Sequence, residues 1–169
     1  MKFITLRVLI RLISLALIIV FVSNMAVVNA QEVSEIKYES ISPKNGFEYS
    51  FKRLREKITL FWLSRDPLRK ANYYSELLDR RLAELKQVVD EKDIENIQTV
   101  SQRYSATAGE LTNLINQKSL GEIKPSVLNK FSQHVFLLEG LQKSYVFDTA
   151  QWMFIKHDID YLKIYSSQL

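Results

Sequence analysis

Seven positions between Leu68 and Val89 constrain this chain more than any other feature. Leu68, Ala71, Ser75, Leu78, Leu82, Leu85 and Val89 follow one another at alternating steps of three and four, and six of the seven are apolar. That spacing places them along one side of an α-helix as a heptad seam, which is stable only against a partner. The partner is the next segment. Ile97, Val100, Tyr104, Thr107, Leu111 and Leu114 repeat the pattern after a polar connection at Asp90 to Asp93. So short a link makes the two helices antiparallel neighbours, an αα-hairpin. Asp66 is suited to cap the first helix and Pro67 to open it, because the first helical N–H has no intrahelical partner to lose. The first helix is expected from Pro67 to about Glu91. The second is expected from about Ile94 to Gln117, with Asp93 as its cap. Gly109 inside it costs about 1 kcal/mol against Ala and is read as a mark of close packing.

The remaining pattern is also helical. Phe51, Leu54, Ile58, Phe61 and Trp62 share one face of a helix over Phe47 to Leu63, and Lys52, Arg53, Arg55 and Lys57 share the other. Pro125 opens a further stretch with Leu128, Phe131, Val135, Leu138, Leu141 and Tyr145. The stripe then changes phase to Trp152, Ile155, Ile159 and Leu162, which predicts either a bend near Tyr145 to Thr149 or a fifth helix. No strand-like alternation is present, and four Gly and three Pro are too few for a turn-rich β fold. The fold class is therefore all-α: a four- to five-helix bundle built on an antiparallel coiled-coil-like hairpin. Its organisation reads as a leader over 1–30, a flexible spacer over 31–46, a helical domain over 47–144 and an aromatic helical segment over 145–169.

The leader has its own signature. Lys2, Arg7 and Arg11 precede an apolar run from Leu12 to Val22, and Val28-Asn29-Ala30 offers small residues where a signal peptidase reads. An uncleaved membrane anchor is the alternative. Leu12 to Val28 is short for a bilayer span of roughly 20 residues, but it lengthens if Arg11 snorkels. Both readings put residues 31–169 outside the cytoplasm, secreted or membrane-anchored. The chain has no Cys, which excludes a lipoprotein anchor, disulfides, thiolate metal sites and cysteine nucleophiles.

Charge narrows the function. The net charge of +4 owes much to the leader, without which 20 basic residues stand against 19 acidic ones. Nucleic acid is thus not an expected partner. Within the remainder the charge is uneven. Residues 44–86 carry 11 basic and 6 acidic groups, and residues 87–169 carry 8 and 10. Lys52, Arg53, Arg55, Arg65, Arg69, Lys70, Arg80 and Arg81 are the candidates for a basic binding surface. Anionic lipid or an acidic wall polymer is the expected partner class, beside another protein, or self-association through helical faces. The aromatic residues Tyr145, Phe147, Trp152, Phe154, Tyr161 and Tyr165 are divided between core and an exposed binding face.

Catalytic signals are absent: there is no nucleophile elbow and no Gly-rich phosphate loop. His134 and His157 lie 23 residues apart, not at the spacing that aligns two metal ligands on one helix face. His134 reads as a half-buried, hydrogen-bonded side chain, and His157 with Asp158 and Asp160 as solvated surface. No metal, cofactor or enzymatic activity is expected. The competing reading is a small extracytoplasmic metal-binding protein or enzyme using His134, Glu139 and His157.

Residues 49–57 (Tyr-Ser-Phe-Lys-Arg-Leu-Arg-Glu-Lys), Asp66-Pro67-Leu68-Arg69-Lys70-Ala71 and Leu78-Asp79-Arg80-Arg81-Leu82-Ala83-Glu84-Leu85 resemble a bacterial family, domain of unknown function family 5667. With His134-Val135-Phe136-Leu137-Leu138-Glu139, the resemblance extends over about residues 42–142. It implies an exported or membrane-anchored helical protein without an established activity. After Ser144, Val146-Phe147-Asp148 continues where similar sequences turn at a Pro, which sets the last segment apart as this chain's own. The combined expectation is a non-enzymatic helical binding or structural protein of the bacterial envelope. Cleavage after Ala30 is the expected outcome for the leader, so mass measurement of the exported protein should find a chain starting at Gln31. An intact Met1 would refute this.

Overall fold

A computed structural model describes residues 46–169. The leader and most of the spacer lie outside them. The described residues form five α-helices: α1 (Gly46–Trp62), α2 (Pro67–Asp90), α3 (Ile94–Gln117), α4 (Lys124–Gln142) and α5 (Ala150–Gln168). Short 3₁₀ turns at Leu63–Arg65 and Gly121–Ile123 follow α1 and precede α4. There is no strand among the described residues, and the bundle is all-α as the periodicity predicts. No helix among them is long and apolar enough to cross a membrane.

The hairpin forms where the seams place it. Asp66 Oδ1 accepts from the Arg69 N–H at 3.0 Å, and Asp93 Oδ1 accepts from the Asn96 N–H at 3.3 Å, so both expected caps are made. Ala71, Leu78, Leu82, Leu85 and Val89 are buried against Ile97, Val100, Tyr104 and Leu111. The turn between the helices is a Schellman motif. The Asp93 N–H donates to Val88 O at 2.9 Å and the Lys92 N–H to Val89 O at 3.1 Å, with Lys92 left-handed at φ 53°. α3 ends the same way. The Leu120 N–H donates to Ile115 O at 2.9 Å and Ser119 is left-handed at φ 52°. The stop expected around Ser119 to Glu122 therefore operates through Ser119 and not through Gly121.

The rest of the core closes over α3. α5 is a separate helix, capped by the Thr149 hydroxyl, and it buries Ile155, Ile159 and Leu162. On α4 the buried positions are Val127, Phe131, His134, Leu138 and Leu141, whereas Leu128 and Val135 are only half-buried. The face is rotated from the apolar stripe by one polar residue. His134 turns inward because the neighbouring helices supply partners for both ring nitrogens. Asp79 Oδ1 on α2 lies 3.0 Å from Nε2, and the Tyr104 hydroxyl on α3 lies 2.9 Å from Nδ1. A carboxylate only accepts, so Nε2–H donates to Asp79, while Nδ1 shares the second hydrogen bond with the Tyr104 hydroxyl. Lys130 Nζ adds a 2.6 Å contact to Asp79 Oδ2. Burial pushes the Asp79 carboxyl up, but hydrogen bonds from His134 and Lys130 outweigh it and hold the group below its ordinary value.

Asp158 is another buried polar group of the bundle. It is 1% exposed, and its Oδ2 has no hydrogen-bond partner among the described residues. Burial pushes its carboxyl well above the ordinary range, and the neighbouring Ser101 and Ser105 hydroxyls offset only part of that. A raised folded-state pKa contributes stability below the unfolded value near 4, and that contribution is lost as pH rises through the folded value. Asp158→Asn should therefore raise the melting temperature at pH 7, by a margin that shrinks toward pH 4. Thermal melts of both proteins at the two pH values check this, and a margin independent of pH would contradict it.

Candidate functional site: an amphipathic helix held by its polar face

α1 is built the opposite way round from an ordinary surface helix. Phe47, Phe51, Leu54, Ile58, Phe61 and Trp62 do form one stripe, but each is between 49% and 86% exposed. The side turned toward the bundle carries Tyr49, Lys52 and Glu56, all buried. The reason lies in what they meet. Glu84 on α2 is 0% exposed, and a buried carboxylate needs charged or hydrogen-bonding partners that hydrophobic side chains do not provide. Its Oε1 accepts from Lys52 Nζ at 2.8 Å and Arg81 Nη1 at 2.7 Å, and its Oε2 accepts from the Tyr49 hydroxyl at 2.9 Å. Arg81 also pairs with Glu56 through Nη2. Arg103 on α3 donates to the Tyr49 hydroxyl and lies over its ring, 5.0 Å from the centroid. The Tyr49 hydroxyl is pushed up to about 12, first by burial and then by the Glu84 charge, so it stays a donor.

This arrangement corrects the reading of the basic surface. Lys52 and Arg81 belong to the internal clamp and are not available to a partner. Arg80 pairs with Glu76 at 3.8 Å and Arg69 with Asp66 at 3.3 Å, while Lys70 lies over the Tyr74 ring. Arg53, Arg55, Lys57 and Arg65 make no ion pair among the described residues. Helical spacing puts Arg55 on one border of the apolar stripe and Lys57, then Arg53, on the other. Arg65 lies just beyond its C-terminal end, where Phe61 and Trp62 stack edge to face at 6.3 Å. The exposed surface thus combines cations and large apolar groups. Of the clamp residues, Tyr49, Glu56 and Glu84 stand in the segments that carry the family resemblance, where the sequence reading assigned them no role, and Arg103 was not singled out.

The three residues of the competing reading do not converge. His134 is buried in its relay to Asp79 and Tyr104, Glu139 is exposed and pairs with Lys163 at 3.6 Å, and His157 is exposed on α5. Among the described residues no three His, Asp or Glu side chains are grouped to hold a metal ion. The Tyr104–His134–Asp79 string has the order of a proton relay, but Tyr104 is 0% exposed and presents no hydroxyl to a substrate.

These features define a helical domain with a polar-clamped amphipathic first helix. Residues 40–144 match the model of the family described as domain of unknown function (DUF5667), and the chain belongs to that family. No curated relative and no solved structure matches the chain. The family match ends before α5, although α5 completes the core on α3 and α4.

The clamp generates a local prediction. Glu84→Gln removes the charge that two buried cations share, a loss on the order of 3 kcal/mol in the local stability of α1. Amide exchange over residues 46–62 should accelerate while the centre of α3 stays protected. Unchanged protection of α1 would show that the clamp does not hold it.

Proposed function

We propose that the protein is a non-enzymatic binding protein of the bacterial envelope, and that it docks on an anionic lipid surface through α1. The observation that carries this reading is the outward apolar stripe bordered by Arg55, Lys57 and Arg53. A helix with aromatic and aliphatic groups on one face and cations at its borders suits the boundary between headgroups and acyl chains. A wall polymer matches the charges but offers no apolar layer for Phe51, Ile58 and Trp62, so the stripe favours lipid over polymer. Six large apolar side chains in one exposed row also exceed the scattered hydrophobic residues usual on a soluble surface. The expected leader supports the same geometry. If it is retained as an anchor, the spacer of 31–46 tethers α1 near the membrane. If it is cleaved, α1 supplies the attachment itself.

The expected affinity has two parts. Each basic group near an anionic surface contributes about 1 kcal/mol, which weakens with salt because the Debye length is about 10 Å at 0.1 M. The apolar part does not weaken with salt. The chain starting at Gln31 should therefore cosediment with vesicles containing anionic lipid, less at high salt but not negligibly. Phe51→Ser with Ile58→Ser should abolish the salt-resistant fraction. Equal and negligible binding to anionic and neutral vesicles at low salt would reject the reading and leave a protein partner in its place.

A further inference from the structure

One flank of α1 meets α3 across a pocket of about 300 Å³, lined by Tyr49, Ser50, Arg53, Leu54, Lys57 and Arg103. Helical spacing explains the set. Tyr49, Arg53 and Lys57 follow at steps of four on α1, and Ser50 and Leu54 stand on the adjoining row beside the apolar stripe. α3 supplies Arg103. Its Nη1 donates to the Tyr49 hydroxyl, whose own proton goes to Glu84, and the guanidinium lies over the Tyr49 ring. The clamp therefore holds Arg103 at the wall of the pocket and uses one of its five N–H donors there.

Three cations thus share a pocket that no carboxylate lines. Elsewhere the bundle matches its charges, as with Lys130 and Asp79, Lys156 and Asp160, or Lys163 and Glu139. Here Arg53, Lys57 and Arg103 make no ion pair among the described residues. Arg53 and Arg103 are half-buried and Lys57 is exposed, so all three are within reach of a ligand arriving from solvent. Like charges held together raise one another's energy, and an anion placed among them removes that cost.

We propose that this pocket takes a phosphomonoester group, presented by the headgroup of the anionic lipid on which α1 docks. The inference rests on the reading of α1 as the lipid-facing helix and names the headgroup that helix selects. Charge and shape choose it. A phosphomonoester carries about −1.5 to −2 charge near pH 7 and three strong acceptor oxygens. Arginine forks match such oxygens, and lysine adds a point charge. A carboxylate offers two oxygens in one plane and a single charge, which leaves one of the three cations unmatched. A headgroup phosphodiester likewise keeps a single charge. Ser50 takes no part as a donor, because its hydroxyl donates to Gly46 O at 2.7 Å. Leu54 belongs both to the pocket and to the stripe. A phosphate held by Arg53, Lys57 and Arg103 would thus have its glycerol carbons beside Leu54 and its acyl chains against Phe51 and Ile58. A soluble phosphate has no use for that adjoining apolar row, which favours the lipid as its source.

The test uses the full chain in phosphatidylcholine bicelles doped with phosphatidic acid or, separately, with phosphatidylglycerol. The Nε–H resonances of Arg53 and Arg103 report the pocket, and the amides of Phe51 and Ile58 report docking of the stripe. Phosphatidic acid should saturate the arginine signals at roughly one-tenth of the mole fraction that phosphatidylglycerol needs. Arg53→Gln should remove that preference and Lys57→Gln should reduce it several-fold. The charge-matched Lys118→Gln, exposed just past the end of α3, should keep it. Equal responses to the two lipids, or a preference that survives both pocket variants, would overturn the proposal and leave α1 as a lipid-docking helix. Stripe amides that respond to neither lipid would remove the reading on which the proposal rests, and the proposal with it. Glycerol 3-phosphate that saturates the arginine signals while phosphatidic acid does not would assign the pocket to a soluble phosphate and overturn the lipid source.

Discussion

The burial of Glu84 sets the character of this molecule. Its carboxylate lies at a position of α2 that an all-apolar bundle would fill with a leucine, and it is 0% exposed. Taking a charge out of water costs several kcal/mol unless partners replace the lost hydration. Arg81 alone, three residues back on the same helix, satisfies part of that need. The remainder comes from Lys52 and Tyr49, and both lie on α1. The helix that supplies them must therefore turn its polar side inward. Glu56 completes the arrangement by balancing the second nitrogen of Arg81. Everything visible on the outer side of α1 follows from that choice.

This is also why the sequence disclosed the hairpin and not the orientation of α1. Periodicity reports which residues share a face. It says which way the face points only when the alternative face has no internal use. On α2 and α3 the seams had apolar side chains on the shared face and matching caps at Asp66 and Asp93, so local and tertiary signals agreed. On α1 the apolar stripe was legible, but its natural assignment to a core was overridden by charges on another helix. A signal existed. Leu77, Arg81, Glu84 and Val88 form a second stripe on α2 at steps of four, three and four, and Tyr49, Lys52 and Glu56 form its complement. Two stripes that each carry one cation and one carboxylate, paired crosswise, are the trace of a polar interface. They are hidden when charge is counted by segment, as the basic surface was.

A similar override rotates α4. The apolar stripe through Leu128 and Val135 competes with an inward His134, and the histidine prevails because Asp79 and Tyr104 satisfy both of its nitrogens. The result is one hydrogen-bonded chain through α2, α4 and α3. Buried polar links of this kind depend on direction, so they fix the rotation of α4 more sharply than apolar contacts, which tolerate sliding. The departure at Ser144 was legible as well, because the phase change there separates α5. The core role of α5 followed from Ile155, Ile159 and Leu162. The burial of Asp158 did not, since Asp158 reads as surface until the Ser101 and Ser105 hydroxyls of α3 are placed beside it.

The polarity of the clamp finally accounts for why the exposed stripe stays exposed. If α1 rolled over to bury Phe51, Leu54 and Ile58 against α2, it would gain apolar burial worth about 1.5–3 kcal/mol for each side chain fully covered. The roll would withdraw Lys52 and Tyr49 from Glu84 and Glu56 from Arg81, leaving charges buried without partners and hydrophobic groups against them. Breaking a buried pair in this way costs about 3–5 kcal/mol, and this network contains three ion pairs joined through the shared residues Glu84 and Arg81. The penalty also buys nothing for the stripe, because a surface studded with carboxylate and guanidinium gives its hydrophobic groups no apolar contact. The clamp is thus directional in effect. It attaches the helix by one face and denies the other face a place in the protein's own core, which keeps six apolar side chains directed outward.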